Sequence, residues 1–321
     1  MATPGLITSL TLTRDTSTDL VWNDSFQSYM TYVEPVSNIY INPVYSVKLT
    51  SFTYKNNQTI TSVNLHNVPF VNNSMSEAFL NCSNLTSVSE INSYVNNIDS
   101  IFWNCQKMVN FPSIPNNVTS LFRSFYNCKS MTDAPNIPNN VTIMNGTYTS
   151  CSNLINAPVI PNSVTDMSGT FLNCSSLVTA PIIPPSVTSV GWGGPAQYGI
   201  DYGCFSKCTN LTGKIYIQSE NITNAYWCFY NTSLIKNVYI PFTYNNGVNT
   251  LTYNAFINAG YKTDGSVCGV YLKDINAMPT YTITYEESEY TASPEEGYGL
   301  IISSTTKENV DLSTDFIISE G

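Results

Sequence analysis

The chain has 321 residues, of which only 11% are charged, and its 12 Lys and Arg against 22 Asp and Glu give a formal net charge of −10. This length allows a sizeable core, but the acidic balance excludes a nucleic-acid surface, which needs clustered cations to replace phosphate counterions. No stretch approaches the ~18 consecutive apolar residues of a membrane helix, so membrane insertion is not expected either.

The N-terminal segment shows strand patterns outside any repeat. Runs such as "LITSLTLT" and "MTYVEPVSNIYINPVYSVKLTSFTYK" alternate polar residues with β-branched and aromatic ones. A stacked repeat exposes unpaired backbone at its end, so residues 1–55 are predicted to form a β cap or docking unit. The first residues lack the cationic segment and apolar core of a secretory signal, which favours synthesis in a cytoplasm without a cleaved leader.

A 23-residue repeat follows in residues 56–260. An aromatic residue stands three positions before each repeated Cys, Leu or Met stands three positions after it, and Pro, Ile and Val columns keep the same period. Such a period is the signature of a solenoid, in which stacked units share a core that none could close alone. The cysteines that mark the period, here called the core ladder, are Cys82, Cys105, Cys128, Cys151 and Cys174, with Cys208 following after a longer interval.

We expect the core ladder to be a buried row of free thiols. One coil apart, the side chains would point the same way into the core, which disfavours disulfides between them. A 23-residue spacing also does not gather the ligands of a metal site, whereas a buried free Cys packs as a small hydrophobe. Cys204 lies outside the period, so a Cys204–Cys208 disulfide stays open as an alternative.

One coil is longer than the others, because Cys208 follows Cys174 by 34 residues rather than 23. We assign the 11 additional residues to 191–201, "GWGGPAQYGID". Two degenerate coils follow, marked by Phe229 and Phe256. About eight coils that rise about 4.8 Å each would form a rod or shallow arc roughly 40 Å long. Within a coil, "LVTAPIIP" and "SVTSV" are predicted to be two short strands and "GTFLNC" a helical or tight turn.

The C-terminal residues 261–321 lose the period and become acidic. Runs such as "GVYLKDI", "TYTITYE" and "GLIISST" are strand-like, and residues 285–321 carry nine carboxylates against one cation. The sequence therefore predicts a small acidic β unit. No loop in it matches a calcium-binding template, so a solvated acidic surface is expected.

The repeat resembles the BspA-like leucine-rich repeats, whose units have the form "F-x-x-C-x-x-L … I-P-x-x-V-T-x-M". The match covers about Asn56 to Gly260, and the copies from Phe102 to Val190 are close to the family pattern. Proteins of this kind are surface adhesins of bacteria and protists, and "A-P-x-I-P-x-x-V-T" variants occur in gut bacteriophage genomes. The resemblance implies a mainly β leucine-rich-repeat solenoid, here flanked by the two small β units, that binds through an exposed face. It implies no enzymatic activity.

Aromatic residues supply the candidate binding sites. The Gly-rich insertion region carries Trp192, Tyr198 and Tyr202, which could stack on sugars or anchor a protein partner; the alternative is a loop that packs on a degenerate coil. Trp103 and Tyr126 stand two positions before Cys in adjacent coils. They form an exposed aromatic patch if that column faces outward and part of the core if it faces inward.

Catalytic chemistry is not indicated. His66, the single histidine, lies in "NLHNVPF", which lacks the strand-to-helix elbow of a catalytic nucleophile. A glycosidase needs two facing carboxylates, but the acids of the repeats are sparse and out of phase. They are Glu90, Asp99, Asp133 and Asp166. We therefore expect the protein to be non-enzymatic and to bind no cofactor and no metal.

Together with the resemblance, these features predict an exposed bacteriophage virion component, such as a fibre, tail-tip or decoration subunit, that contacts the host surface. The expected partners are other virion proteins, bound through the terminal units, and a host-surface glycan or protein; a homo-oligomer is compatible with the sequence. The alternative is a bacterial cell-surface adhesin, which predicts an anchoring or sorting segment, and "STDFIISEG" contains none.

Overall fold

The computed structural model describes residues 9–11, 55–58, 60–64, 73–191, 203–212, 214–219, 221–232, 234, 237–240, 268–273, 281–285, 288–292, 298–304 and 317–320. These residues contain ten short strands and no helix. The strands are β1 (Ser9–Thr11), β2 (Ser62–Asn64), β3 (Ser87–Val88), β4 (Lys214–Tyr216), β5 (Asn237–Ile240), β6 (Cys268–Lys273), β7 (Tyr281–Tyr285), β8 (Ser288–Ala292), β9 (Tyr298–Ser304) and β10 (Ile317–Glu320).

Strand pairing is parallel along the repeat and antiparallel near the C-terminus. β1, β2 and β3 form one parallel sheet, and β4, β5 and β6 run parallel in a second sheet, with β9 added antiparallel on β6. β7 pairs antiparallel with β8 and β10 in a third sheet. Because Val270 of β6 lies opposite Val238 of β5, β6 continues the parallel ladder of the repeat, although the sequence assigns it to the C-terminal β unit.

The central coils do not contain the two short strands that the sequence predicts for each. They pair through isolated parallel bridges of one residue, such as Asp133 with Asn156 in one column and Ile143 with Asp166 in another. In the column of Asp133 a proline explains the interruption, because Pro135 follows Asp133 by two residues and has no N–H to continue the ladder. The segments equivalent to "GTFLNC" form tight turns, not helices.

A column of stacked aromatic rings, the ring stack, occupies the centre of the core. Neighbouring ring centres lie 5.5–5.9 Å apart, their planes are within 24° of parallel, and all the rings are fully buried. The members are Phe79, Phe102, Phe125, Tyr148, Phe171, Phe205 and Phe229. Each comes from one coil, so the described residues contain seven coils in this column; Phe256, which completes the predicted eight, lies outside the described residues.

The thiols of the core ladder are buried and free, and they also donate hydrogen bonds between coils. Cys128 Sγ donates to the main-chain oxygen of Phe102 at 3.1 Å. The same bond is made at 3.0–3.1 Å by Cys105, Cys151, Cys174 and Cys208. Burial raises the pKa of Cys82 and Cys151 to about 12, so both thiols are protonated at neutral pH. The column therefore ties adjacent coils together, beyond the hydrophobic packing that the sequence predicts.

Cys204 lies inside the repeat and forms no disulfide, which corrects the sequence assignment. It occupies the position directly before a stacked ring, where the three preceding coils have Ser124, Thr147 and Thr170. All four side chains are buried, and Cys204 and Cys208 are both free thiols. The period was misjudged because the additional residues of this coil come before Cys204, so that Cys204 and the ladder cysteine Cys208 are back in phase.

The insertion is residues 192–202, one residue later than the sequence assignment. The main-chain N–H of Cys204 donates to the oxygen of Val190 at 2.8 Å, as the equivalent residues do at 3.1 Å in the preceding coil. Gly191 belongs to the coil, because its N–H donates to the next coil at 3.0 Å. The turn therefore closes as if the additional residues were absent.

Two positions in most described coils have left-handed backbone, one on each side of the stacked ring. The Asn before Cys has φ of 58–62° at Asn81, Asn104 and Asn127, and Asn tolerates this conformation better than most residues. Its side chains form a ladder, in which Asn104 Nδ2 donates to Asn81 Oδ1 and Asn127 Nδ2 to Asn104 Oδ1, each at 2.6 Å. The second position, two before the ring, includes Arg123 (φ 51°) and Gly146 (φ 64°).

Candidate binding site

Trp103 and Tyr126 lie on adjacent coils with their rings in contact. Each follows a member of the ring stack, in the column whose direction the sequence leaves open. Both side chains are half-buried, and their ring centres lie 4.8 Å apart with a 38° angle between the planes. The pair is therefore at the surface, whereas Thr149 and Leu172 in the same column are buried.

A guanidinium group lies against the ring of Trp103. The central carbon of Arg123 lies 5.2 Å from the ring centre of Trp103 and 4.8 Å from that of Phe122, both within the range of cation–π contacts. Trp103, Phe122, Arg123 and Tyr126 are here called the Trp103 cluster. The sequence analysis singles out only Trp103 and Tyr126, because nothing in the repeat period indicates that Arg123 reaches back to the preceding coil.

A cleft of about 150 Å³ opens beside the Trp103 cluster. The space arises because the position held by Arg123 in one coil is held by a glycine in each of the next two coils. Besides Trp103, Arg123 and Tyr126, the lining consists of Asn145, Gly146, Thr149, Ser168 and Gly169. Aromatic faces thus form one side of the cleft, and small or polar residues form the rest.

The main chain along the cleft is already hydrogen-bonded within the protein. The N–H of Arg123 donates to the oxygen of Asn145 at 3.0 Å, and the N–H of Gly146 donates to the oxygen of Ser168 at 2.8 Å. These bonds join one coil to the next. A ligand in the cleft would therefore contact side chains and ring faces, because no free strand edge is offered here for a peptide to extend.

Both ends of the insertion attach at columns that line the cleft. By the closure of the turn at Cys204, Gly191 is equivalent to Ser168 and Gly203 to Gly169. The insertion therefore leaves and re-enters the fold on the side of the Trp103 cluster. Its predicted binding residues lie outside the described residues, and their role stays a prediction; they are Trp192, Tyr198 and Tyr202.

A second aromatic cluster, which the sequence analysis missed, comprises Tyr226, Trp227 and Tyr230. The ring centres of Tyr226 and Trp227 are 5.0 Å apart, and those of Trp227 and Tyr230 are 5.6 Å apart. Trp227 and Tyr230 stand two positions before and one position after a stacked ring, as Arg123 and Tyr126 do. When the coils are aligned, the run "YWCFY" places Trp227 and Tyr230 in the columns of Arg123 and Tyr126, so the sequence could have indicated this cluster.

Two of the carboxylates weighed as catalytic groups accept hydrogen bonds that support the fold. Asp99 Oδ1 accepts from Ser120 Oγ at 2.7 Å, and Asp166 Oδ1 accepts from the N–H of Ser168 at 2.8 Å. Among the described residues, no three or more His, Cys, Asp or Glu side chains are grouped so as to hold a metal ion. The described part of the chain also has no apolar helix of membrane-spanning length. His66 lies outside it.

Comparison with known proteins gives a match to one family model, described as the BspA type leucine-rich repeat region, in six copies over residues 24–147, 74–193 and 196–263. Among solved structures, a leucine-rich repeat protein of T. pallidum is 19% identical, with a TM-score of 0.43 over 74% of this chain and 90% of that chain.

Two further solved structures are similar at 19% identity. A leucine-rich cell surface protein from Faecalibacterium prausnitzii has a TM-score of 0.46, with 74% of this chain and 64% of that chain covered. A leucine-rich repeat protein from Bacteroides ovatus has a TM-score of 0.34, with 70% of this chain and 74% of that chain covered. No curated protein sequence matches the chain.

Proposed function

The chain belongs to the BspA-type leucine-rich repeat family, whose model covers well over half of it, and on that premise we propose that it is a non-enzymatic binding protein. We infer that the Trp103 cluster and its cleft form the binding site. The observation that carries this proposal is the contact of two half-buried rings, those of Trp103 and Tyr126, which lie 4.8 Å apart and line a cleft, with Arg123 against the ring of Trp103.

The composition of the cleft supports binding rather than catalysis. Ring faces offer apolar contact area at low cost in side-chain entropy, and a few polar groups beside them fix the orientation of a ligand. At about 150 Å³, the cleft is smaller than the ~300 Å³ at which sites for drug-sized ligands begin. It fits one ring-sized group of a larger molecule, such as the end of a glycan or a single side chain of a protein.

For the place of action we propose an exposed bacteriophage virion component, a fibre, tail-tip or decoration subunit, that contacts the host surface. Low charge with many Tyr, Asn and Thr residues supports contact with a glycan or protein rather than electrostatic capture. The terminal β units would dock the chain to other virion proteins. The alternative is the bacterial cell surface, where the chain would act as an adhesin.

Trp103→Ala should weaken binding to the host surface roughly tenfold or more, because aromatic side chains that a ligand covers dominate the free energy of binding. The measurement is binding of the purified chain to a printed glycan array and to intact bacterial cells. Tyr94→Ala is the matched control, since Tyr94 is an aromatic residue outside the cleft that is 70% exposed. Equal binding by the Trp103→Ala and unsubstituted chains would remove the cleft as the site.

The virion location has a direct test that does not depend on the ligand. We expect peptides of this chain in purified particles of the source phage when they are analysed by mass spectrometry, at an abundance comparable with other structural proteins. Their absence from the particle, with the chain recovered instead from the envelope fraction of bacterial cells, would replace the virion assignment by the adhesin alternative.

A further inference from the structure

We propose that the cleft beside the Trp103 cluster binds a carboxylate-bearing sugar, with the guanidinium of Arg123 as the group that holds the carboxylate. This inference rests on the proposed function, because it assigns a ligand class to the same site. Three properties support it. Among the described residues Arg123 has no counterion, acids on neighbouring coils accept hydrogen bonds from neutral groups, and the lining of the cleft suits a sugar.

Arg123 carries a charge that the described residues leave without a counterion. Its guanidinium contacts the rings of Trp103 and Phe122, but within the described residues it makes no hydrogen bond and no ion pair. The ion pair that those residues do contain joins Lys55 to Glu77, which holds the position equivalent to Arg123 two coils earlier. Contact with ring faces leaves the in-plane N–H donors of a guanidinium available, and their fork matches the two oxygens of a carboxylate.

Two acids of neighbouring coils, Asp99 and Asp166, accept hydrogen bonds from neutral groups. Asp99 accepts from the hydroxyl of Ser120, and Asp166 accepts from the N–H of Ser168 and from Asn145 Nδ2. The chain has 22 carboxylates against 12 cations, yet among the described residues no carboxylate forms an ion pair with Arg123. The guanidinium is therefore free to take an external anion, in a charge-assisted and bidentate bond that is stronger than a neutral hydrogen bond.

The rest of the cleft favours a sugar over an acidic peptide. Trp103 and Tyr126 line the cleft with aromatic surface on which the C–H face of a sugar ring can stack, and Asn145, Thr149 and Ser168 add amide and hydroxyl groups. A peptide would gain from a free strand edge or from several clustered cations. The main chain at Arg123 and Gly146 is already paired between coils, and the lining contains one cation.

The test compares acidic sugars with neutral partners of the same shape by isothermal titration calorimetry on the full chain. The probes are 3′-sialyllactose against lactose, and tri-galacturonate against its methyl ester, so that the two arms distinguish sialic from uronic acids. A hexaglutamate peptide is the third probe. We expect at least one acidic sugar to bind roughly ten- to a hundredfold more tightly than its neutral partner, because a hydrogen bond to a charged group adds about that factor.

Variants assign the preference to Arg123. Arg123→Gln should reduce the acidic sugar to the affinity of its neutral partner, and Arg123→Lys should retain part of the preference, with the melting midpoint of both variants unchanged. Lys129→Gln is the matched control, since it removes one exposed cation from the same coil outside the cleft and should keep the full preference.

Three results would overturn the inference. They are equal affinity for the acidic and neutral sugars, absence of binding to every acidic sugar, and hexaglutamate binding as tightly as the sugars with the same dependence on Arg123. If acidic and neutral sugars bound equally but Trp103→Ala abolished that binding, the cleft would still be the binding site and only the preference for a carboxylate would be refuted. The two proposals can therefore fail separately.

Discussion

Phe125→Ala is expected to lower the free energy of unfolding by about 3–5 kcal/mol, the range for removing a buried aromatic side chain. The ring of Phe125 is fully buried between those of Phe102 and Tyr148, at 5.9 and 5.5 Å, and it meets the ring of Phe111 edge-on at 5.3 Å. Removing it leaves a cavity that the coils on both sides cannot fill. The measurement is urea unfolding followed by circular dichroism, with the loss calculated from the shift of the midpoint.

Phe122→Ala is the control for this prediction, because it removes the same side chain from the same coil at a half-buried position. Less apolar area is lost to solvent there, so a loss below about 1.5 kcal/mol is expected. If the two variants were equally destabilised, the ring stack would not be the centre of the core.

Gly203→Ala is expected to destabilise the protein by more than about 3 kcal/mol, since over-packing against backbone cannot be relieved by a change of rotamer. A Cβ at Gly203 would lie 1.8 Å from the main-chain oxygen of Trp227 and 2.1 Å from its carbonyl carbon. The two coils would have to separate there, which strains the hydrogen bond of 2.8 Å from the N–H of Phe205 to the oxygen of Cys228. The same urea titration measures the loss.

Gly146→Ala tests whether close approach, rather than the loss of any glycine in this column, is responsible. A Cβ at Gly146 would lie 3.1 Å from Arg123 Cγ, an atom of a flexible side chain, and the residue has φ of 64°. The left-handed conformation alone costs an L-residue about 1–2 kcal/mol. If Gly203→Ala and Gly146→Ala were equally stable, the close approach of Gly203 to the main chain of Trp227 would not be the cause of the loss.

The repeat could be predicted from the sequence because its period places chemically similar residues at every step. The family is confirmed by the match to the BspA-type model, and the aromatic and Cys columns are buried. The two strands per coil were wrong for the central coils. A β-rich composition favours strands, but in one of the two bridge columns a proline stands two residues after the bridge, as Pro135 does after Asp133, and removes the N–H that a longer ladder requires.

Contacts between columns could not be predicted from the sequence. Arg123 meets Trp103 across 20 residues of chain, and the meeting depends on the left-handed backbone at Arg123 and on the glycines that follow it in its column. A repeat period shows which residues are equivalent in successive coils, but it does not show which residues of different columns are in contact. The same limit explains Cys204, whose column became visible only when the closure of the turn placed the insertion before it.

The closed turn at the insertion has a consequence for variation among related chains. Val190 and Cys204 are hydrogen-bonded to each other as the equivalent residues of an ordinary turn are. Changes of sequence or length between Gly191 and Gly203 therefore need not disturb the packing of the ring stack. A lineage can therefore replace the whole segment in one event and still inherit a folded repeat. Because Gly191 and Gly203 are equivalent to Ser168 and Gly169, each such replacement begins and ends in columns that line the cleft, while Trp103 and Tyr126 on earlier coils keep their sequence.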